Sequence, residues 1–247
     1  MTRDRRASER TGAEGIITAT AVRPRALVID WVGVLTTGFE SSVAAWSRSE
    51  GLDVAAVMDV LAELRGAGVG EQAGSGMITA LERGEVGPET FERALALRLR
   101  RVSGVAVEPS GLMGRLFGHF EVDLRLLAAV RRLRDRGHRT ALLSNSWGND
   151  YPRTLIDGAF DQVLISGEIG LRKPQPEIFW HAARRLGVAP HEAVFVDDLA
   201  DNVAGAARAG MIGVLHESRA ATERALDGHF PVPEEAGAGS EGRDRAH

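Results

Sequence analysis

The stretch Ala26 to Leu35, reading Ala-Leu-Val-Ile-Asp-Trp-Val-Gly-Val-Leu, constrains this chain more than any other. Leu27, Val28 and Ile29 run without interruption into Asp30. A short unbroken apolar run is the mark of a strand buried on both faces, as in a parallel sheet. Gly33 then allows a sharp backbone turn. In open parallel α/β sheets, ligands bind just past the carboxyl ends of the strands. Asp30 stands at such a place. Alone, it is more simply an Asp that ends a strand. Three later segments change that reading.

Each is an apolar strand or adjoining loop followed by polar groups: Ser144-Asn145 after Thr140–Leu143, Lys173 after the strand Gln162–Ile165, and Asp197-Asp198 after Ala193–Val196. Helical spacing fills the gaps between them. Asp123–Asp135 turns Leu126, Leu127, Val130 and Leu133 inward. Pro176–Leu186 and Leu199–Ala209 are further helices, and Ile212–Leu215 is a last strand. Regular alternation of strand and helix implies right-handed crossovers and a parallel sheet covered on both faces. Residues 38–118 differ. Phe39–Glu50, a helix capped by Asp53 and running to about Leu64, and Pro88–Arg101 are helical, with Phe91, Ala94, Leu95 and Leu99 at helical spacing. The glycine-rich stretch 66–76 reads as a loop, either a linker or a segment that moves over the site. The expected fold is therefore α/β: a Rossmann-like core of parallel strands, residues 25–37 and 119–228, with a helical cap, residues 38–118, inserted after the first strand. Residues 1–24 and 229–247 read as poorly ordered tails. The first could also reflect a start placed too far upstream.

Composition narrows the chemistry. A formal net charge of −4 over 247 residues offers no basic field for nucleic acid. The absence of cysteine removes disulfides, thiolate metal sites and a Cys nucleophile, and fits a cytoplasmic protein. No apolar run reaches the roughly 18 residues that span a bilayer. The polar strand ends together suit a phosphate site. A carboxylate can attack phosphorus, and a hydroxyl and an ammonium can hold phosphoryl oxygens. Several carboxylates beside a phosphate need a hard cation between them, for which Mg²⁺ is the expected choice.

With these residues in this order, the chain resembles the haloacid dehalogenase superfamily of hydrolases, most of which are phosphatases. The matching motifs are Asp30-Trp31-Val32-Gly33-Val34-Leu35, Leu142-Leu143-Ser144-Asn145, Gly170-Leu171-Arg172-Lys173-Pro174, and Val196-Asp197-Asp198-Leu199-Ala200-Asp201-Asn202. The resemblance covers about residues 25–217. It is closest in character to the branch with a helical cap after the first strand, which includes glucose-1-phosphatase-like enzymes and the phosphatase domain of soluble epoxide hydrolases. Asn202 after the paired acids and Leu81-Glu82-Arg83-Gly84-Glu85 in the cap are like that branch.

The resemblance implies roles. Asp30 is the expected nucleophile and a metal ligand, and Val32 gives Mg²⁺ its backbone carbonyl. Ser144 and Lys173 bind the transferring phosphoryl group, with Asn145 helping to orient it. Asp198 is the main acidic ligand of the fourth motif, Asp197 a ligand or an anchor behind it, and Asn202 a support. One departure stands out. Most phosphatases of the superfamily carry a second Asp where Val32 stands, as the acid and base of the reaction. Such a group is worth roughly 10²–10⁴-fold in rate. His119, Glu40 and Glu71 are the candidates to replace it. Trp31 and Trp147 either wall the pocket or pack core against cap. The function expected is Mg²⁺-dependent hydrolysis of a small soluble phosphate ester by a monomer or homodimer, without nucleic-acid or membrane partners. The alternatives are dehalogenation of a small haloacid, against which Asp197-Asp198 speaks, and a non-catalytic phosphate-ester-binding protein, for which Val32 speaks.

Overall fold

A computed structural model describes residues 23–66, 76–148 and 151–232. The expected tails lie largely outside these residues, as do Glu71 and most of the glycine-rich stretch. In chain order the elements are β1 (Ala26–Ile29), α1 (Phe39–Ser49), α2 (Val54–Arg65), α3 (Met77–Glu82), α4 (Pro88–Ser103), α5 (Leu112–Phe117), α6 (Leu124–Asp135), β2 (Arg139–Ser144), α7 (Arg153–Ile156), β3 (Gln162–Ile165), α8 (Ser166–Ile169), α9 (Pro176–Leu186), β4 (Ala193–Asp197), α10 (Ala200–Arg208), β5 (Ile212–Leu215) and α11 (Arg219–His229).

The strands form one parallel sheet in the order β3-β2-β1-β4-β5, as the alternation of strands and helices predicts. Successive side chains of β1 go to opposite faces, as the strand period of two requires. Leu27 and Ile29 join Leu126, Leu127 and Val130 of α6. Ala26 and Val28 join Ile178, Phe179 and Ala182 of α9. That double burial is why β1 is apolar at every position. The chain extends the sheet from β1 through β2 to β3, then returns across β1 to add β4 and β5. The order of strands thus reverses beside β1, where an α/β sheet opens a crevice for a ligand.

Helices α1 to α5 all lie between β1 and α6 and share a hydrophobic cluster of their own around Val43, Trp46, Leu61, Phe91, Leu95 and Leu99. The segments that enter and leave this insertion pair with one another. Thr36 and Val122 form an antiparallel bridge, Thr37 N–H donates to the Glu121 carbonyl (2.9 Å), and Asp123 N–H donates to the Leu35 carbonyl (2.8 Å). Asp53 caps α2 as expected, accepting from Ala56 N–H at 2.9 Å.

Several boundaries differ from the sequence reading. Ser144 and Asp197 are the last residues of β2 and β4 rather than the first beyond them, because each still has a neighbour in the sheet, Ile165 and Leu215. α10 starts one residue later than expected, with Leu199 as its N-cap. At the other end, α11 was not foreseen, and the supposed tail from 229 begins too early. Phe230 is buried against His138, and its carbonyl accepts from Arg136. Among the described residues, no helix is long and apolar enough to cross a membrane.

Asp123 caps α6, accepting from Arg125 and Leu126 N–H at 3.0 Å each, and pairs with Arg219 at 3.1 Å. Burial alone would raise its pKa, but these donors outweigh burial and hold it below the usual carboxylate range. Asp123→Ala is expected to lower stability by about 1 kcal/mol at neutral pH. The contribution is present above the unfolded pKa of about 3.9 and is lost as pH falls through the lower folded value. Urea unfolding of both proteins at neutral and acidic pH should therefore show the difference narrowing in acid.

Candidate functional site

Three chemical groups meet at the carboxyl ends of β1 and β4. The Lys173 ammonium lies 2.8 Å from Asp30 Oδ1 and 2.7 Å from Asp197 Oδ2. Its side chain is 1% exposed. Burial disfavours the charged amine, but the attraction of Asp30 and Asp197 outweighs that and raises its pKa. Asp30 is lifted most by its own burial, pulled back by Lys173 and lifted again by Asp197, and stands at about 7. Asp198 is raised by burial and by Asp197. These shifts have one physical origin: three acids share a poorly hydrated site with a single ammonium.

The oxygens divide the labour. Asp30 Oδ1 accepts from both Lys173 and the Trp31 N–H (2.7 Å), which leaves Oδ2 without a partner among the described residues. Asp197 has neither oxygen to spare. Oδ2 takes Lys173, and Oδ1 takes the Leu199 N–H (2.9 Å) and Asn202 Nδ2 (3.0 Å). Oxygens of Asp30, Asp197 and Asp198 all lie within 4.8 Å of one another. Gly33 makes room for the third acid. A Cβ on Gly33 would sit 2.1 Å from Asp198 Oδ2, and the residue also has φ +81°, so both space and conformation require glycine. The hard oxygen donors and the unbalanced negative charge fit a divalent cation such as Mg²⁺.

Two further residues are tied into this centre. Asn145 Nδ2 donates to the Lys173 carbonyl (3.0 Å), and the Lys173 N–H donates to Asn145 Oδ1 (2.9 Å). The amide thus grips the lysine's backbone, a more indirect task than orienting a phosphoryl group. Ser144 Oγ accepts from the Tyr151 hydroxyl at 2.8 Å, so its own hydrogen remains available to a ligand oxygen.

These groups open onto a cavity of about 680 Å³, lined by Asp30, Val32, Ser144, Asn145, Lys173, Asp198 and Asn202 from the sheet side. The insertion supplies Phe39, Glu40, Met58, Arg65, Glu82 and Phe117. Of the candidates to replace the missing acid, Glu40 lines the cavity. His119 does not, and lies at the surface beside Ser49 (3.2 Å). Trp31 is buried in the core edge-on to Tyr151 and does not line the cavity. Trp147 does both jobs considered for it, lining the cavity while packing against Phe39 and Phe91 in the insertion's cluster.

Sequence reasoning missed Tyr151, Arg65 and the Glu82–Arg172 pair as parts of this site. Glu82, on α3, accepts from Trp147 Nε1 (3.0 Å) and from Arg172 Nε (2.7 Å). Arg172 precedes the expected lysine and Glu82 lies in a quoted motif, so proximity in sequence was the available signal for both.

A profile of the haloacid dehalogenase-like hydrolases matches residues 24–210. The chain is similar to the glyceraldehyde 3-phosphate phosphatase of Methanopyrus kandleri, 59% identical over 146 residues, which are 54% of this chain and 60% of that protein. It is also similar to the bifunctional epoxide hydrolase 2 of Rattus norvegicus, 29% identical over 114 residues, 43% of this chain and 21% of that protein. The match thus spans three fifths of the first relative and about a fifth of the second. In fold it is similar to a HAD family enzyme of Bacteroides thetaiotaomicron solved with magnesium and inorganic phosphate, with a TM-score of 0.56, 20% identity, and coverage of 78% of this chain and 93% of that one.

Lys173→Met leaves two buried carboxylates without their cation and is expected to destabilise the protein by about 3–5 kcal/mol near neutral pH. Asp30, already raised by burial, loses the ammonium that pulls it back, so it holds a proton in the folded state that it loses on unfolding. The deficit relative to the parent therefore shrinks as pH is lowered. Denaturant unfolding in chelator-treated buffer at about pH 7 and about pH 5 checks both the size and the direction.

Proposed function

The chain belongs to the haloacid dehalogenase-like hydrolase family, and from that premise we propose that it is a Mg²⁺-dependent phosphatase of a small phosphate monoester, working through a phosphorylated Asp30. The observation that carries this reading is the asymmetry of Asp30, one oxygen fixed by Lys173 and Trp31 N–H and the other without a partner among the described residues, beside a cavity. The phosphatase names among its relatives support it. So does the neighbour crystallised with magnesium and phosphate.

Asp30, the Val32 carbonyl and Asp198 would hold the cation, with Asp197 and Asn202 behind them. Once bound, Mg²⁺ neutralises phosphate charge and polarises the phosphoryl group. Asp30 Oδ2 attacks phosphorus, forming an O–P bond as the bond to the leaving oxygen breaks. Lys173 and the Ser144 hydroxyl hold the phosphoryl oxygens through the transfer. Water then attacks phosphorus, releases phosphate and restores the Asp30 carboxylate. Val32 can give the departing oxygen no proton, so that oxygen must leave as an anion or take a proton from water. This favours esters with good leaving groups, such as aryl, acyl and sugar 1-phosphates. The acid pair Asp197-Asp198 fits this chemistry better than dehalogenation, which needs no metal. The insertion walls the cavity and suits a small substrate rather than a macromolecule.

Phosphate release from p-nitrophenyl phosphate should require both Mg²⁺ and Asp30, with Asp30→Asn inactive though folded. A folded wild type that binds Mg²⁺ but releases no phosphate from any ester would overturn the reading. Val32→Asp should restore acid catalysis, raising kcat for alkyl phosphates by up to about 10²-fold and more than for p-nitrophenyl phosphate. A parallel change for both substrate types would show that leaving-group protonation is not what Val32 costs.

A further inference from the structure

The guanidinium of Arg172 is only partly used by the protein. Its Nε donates to Glu82 Oε2 at 2.7 Å, and the backbone N–H of the same residue donates to Gln175 Oε1 at 3.3 Å. Neither terminal amino group has an acceptor among the described residues. Arg172 nevertheless lines the same cavity as Asp30, Ser144 and Lys173, and it is the immediate chain neighbour of Lys173.

Glu82 explains why the arginine stays in place. It is a carboxylate 4% exposed, both of its oxygens are taken, and Trp147 holds it from the other side at 3.0 Å. The backbone near it is fixed as well: a Cβ on Gly84 would lie 2.3 Å from the Gly167 carbonyl, so the turn after α3 packs closely on α8. A guanidinium is planar by resonance, and one anchored through Nε has that plane held in one orientation, with its two terminal amino groups left to face a carboxylate.

A second cation reaches the same cavity. Arg65, at the end of α2, lines it and has no ion pair among the described residues. Of the acidic lining residues, Asp30 and Asp198 belong to the phosphate end and Glu82 is committed. Only the exposed Glu40 is left over. Besides the Asp30–Lys173–Asp198 centre, the cavity lining therefore has donors and positive charge to offer.

We propose that Arg172, held by Glu82, is the specificity residue of this site and binds a carboxylate on the leaving group, so that the substrates are phosphate esters of small acids whose hydroxyl is an enol or a phenol, a leaving group that needs no proton. The inference rests on the phosphatase reading above and narrows its substrate class. Arg172 lines the same cavity as Ser144 and Lys173, so the carboxylate and the phosphoryl group share one small site. Glu82 is a positioning residue that acts through Arg172.

The test compares kcat/KM for phosphoenolpyruvate and 3-carboxyphenyl phosphate, each against its methyl ester, in Mg²⁺ buffer. The pairs differ in one charge. The wild type should prefer each free acid roughly tenfold or more, the scale of a hydrogen bond to a charged group. Arg172→Met should erase that preference, and Arg172→Lys, which keeps charge without the planar fork, should weaken it. Glu82→Gln still offers Trp147 an acceptor but loosens Arg172. It should reduce the preference through KM, and in combination with Arg172→Met it should add nothing further. An active wild type without preference for the acids, or a preference that survives in folded Arg172→Lys and Glu82→Gln, overturns the inference and leaves the phosphatase reading intact. A folded wild type inactive on all four esters and on p-nitrophenyl phosphate overturns both.

Discussion

One ammonium between two buried carboxylates sets the terms for everything around it. Lys173 is far from Asp30 and Asp197 in sequence, and the parallel sheet brings them together by placing β4 beside β1. Neighbouring strands stand about 4.8 Å apart, so acids at their ends can share one cation. The arrangement is tolerable because most other needs are met. The Leu199 N–H and the Asn202 amide satisfy the remaining Asp197 oxygen, the Trp31 N–H is a second donor to Asp30 Oδ1, and Asn145 fixes the lysine's backbone on both sides. A buried charge cluster of this kind does little to stabilise a fold, and its removal in parts is costly. Its value is that Asp30 keeps one oxygen in a fixed direction.

The insertion meets the core by contact as well as by covalent linkage. Trp147, from a loop beyond β2, is among the described residues the one fully buried contribution of the sheet side to the insertion's cluster. Gly148 meets Pro88 so closely that a Cβ there would lie 2.3 Å from the proline ring. Glu82 adds a buried ionic contact a few residues away. These contacts run through the two loops that carry Asn145 and Lys173, so the wall of the cavity and the phosphate end are built from one continuous packing arrangement.

The sheet was legible because double burial writes itself into β1 and β4 as uninterrupted apolar runs, and the polar residues that end such runs have nowhere to point except the crevice. Asp30, Ser144, Lys173, Asp197 and Asp198 followed from that logic and from the motifs. Asp53 as a helix cap was equally local. What stayed hidden depended on side chains meeting across long separations. Nothing in the neighbourhood of Glu82 says that it will find Arg172, 90 residues away. Tyr151, behind Ser144, is likewise placed by the turn of a loop rather than by a period. Asn145 lines the cavity, but its bidentate hold on a backbone depends on where that backbone lies. The buried Phe230 escaped because a single aromatic at the edge of a polar tail leaves no pattern.

The bridge between Thr36 and Val122 has a consequence for how such a protein can change over evolutionary time. Paired residues in an antiparallel ladder have Cα atoms about 4.5–5.5 Å apart, so the insertion leaves and re-enters the core through adjacent doors. To the core, the inserted polypeptide is a closed loop, and the entropy of closing a loop grows only with the logarithm of its length. Each doubling costs about 0.6 kcal/mol. Segments of very different size and shape can be exchanged at this point with little burden on the sheet, and lineages can thereby acquire new substrates while inheriting the reactive centre unchanged.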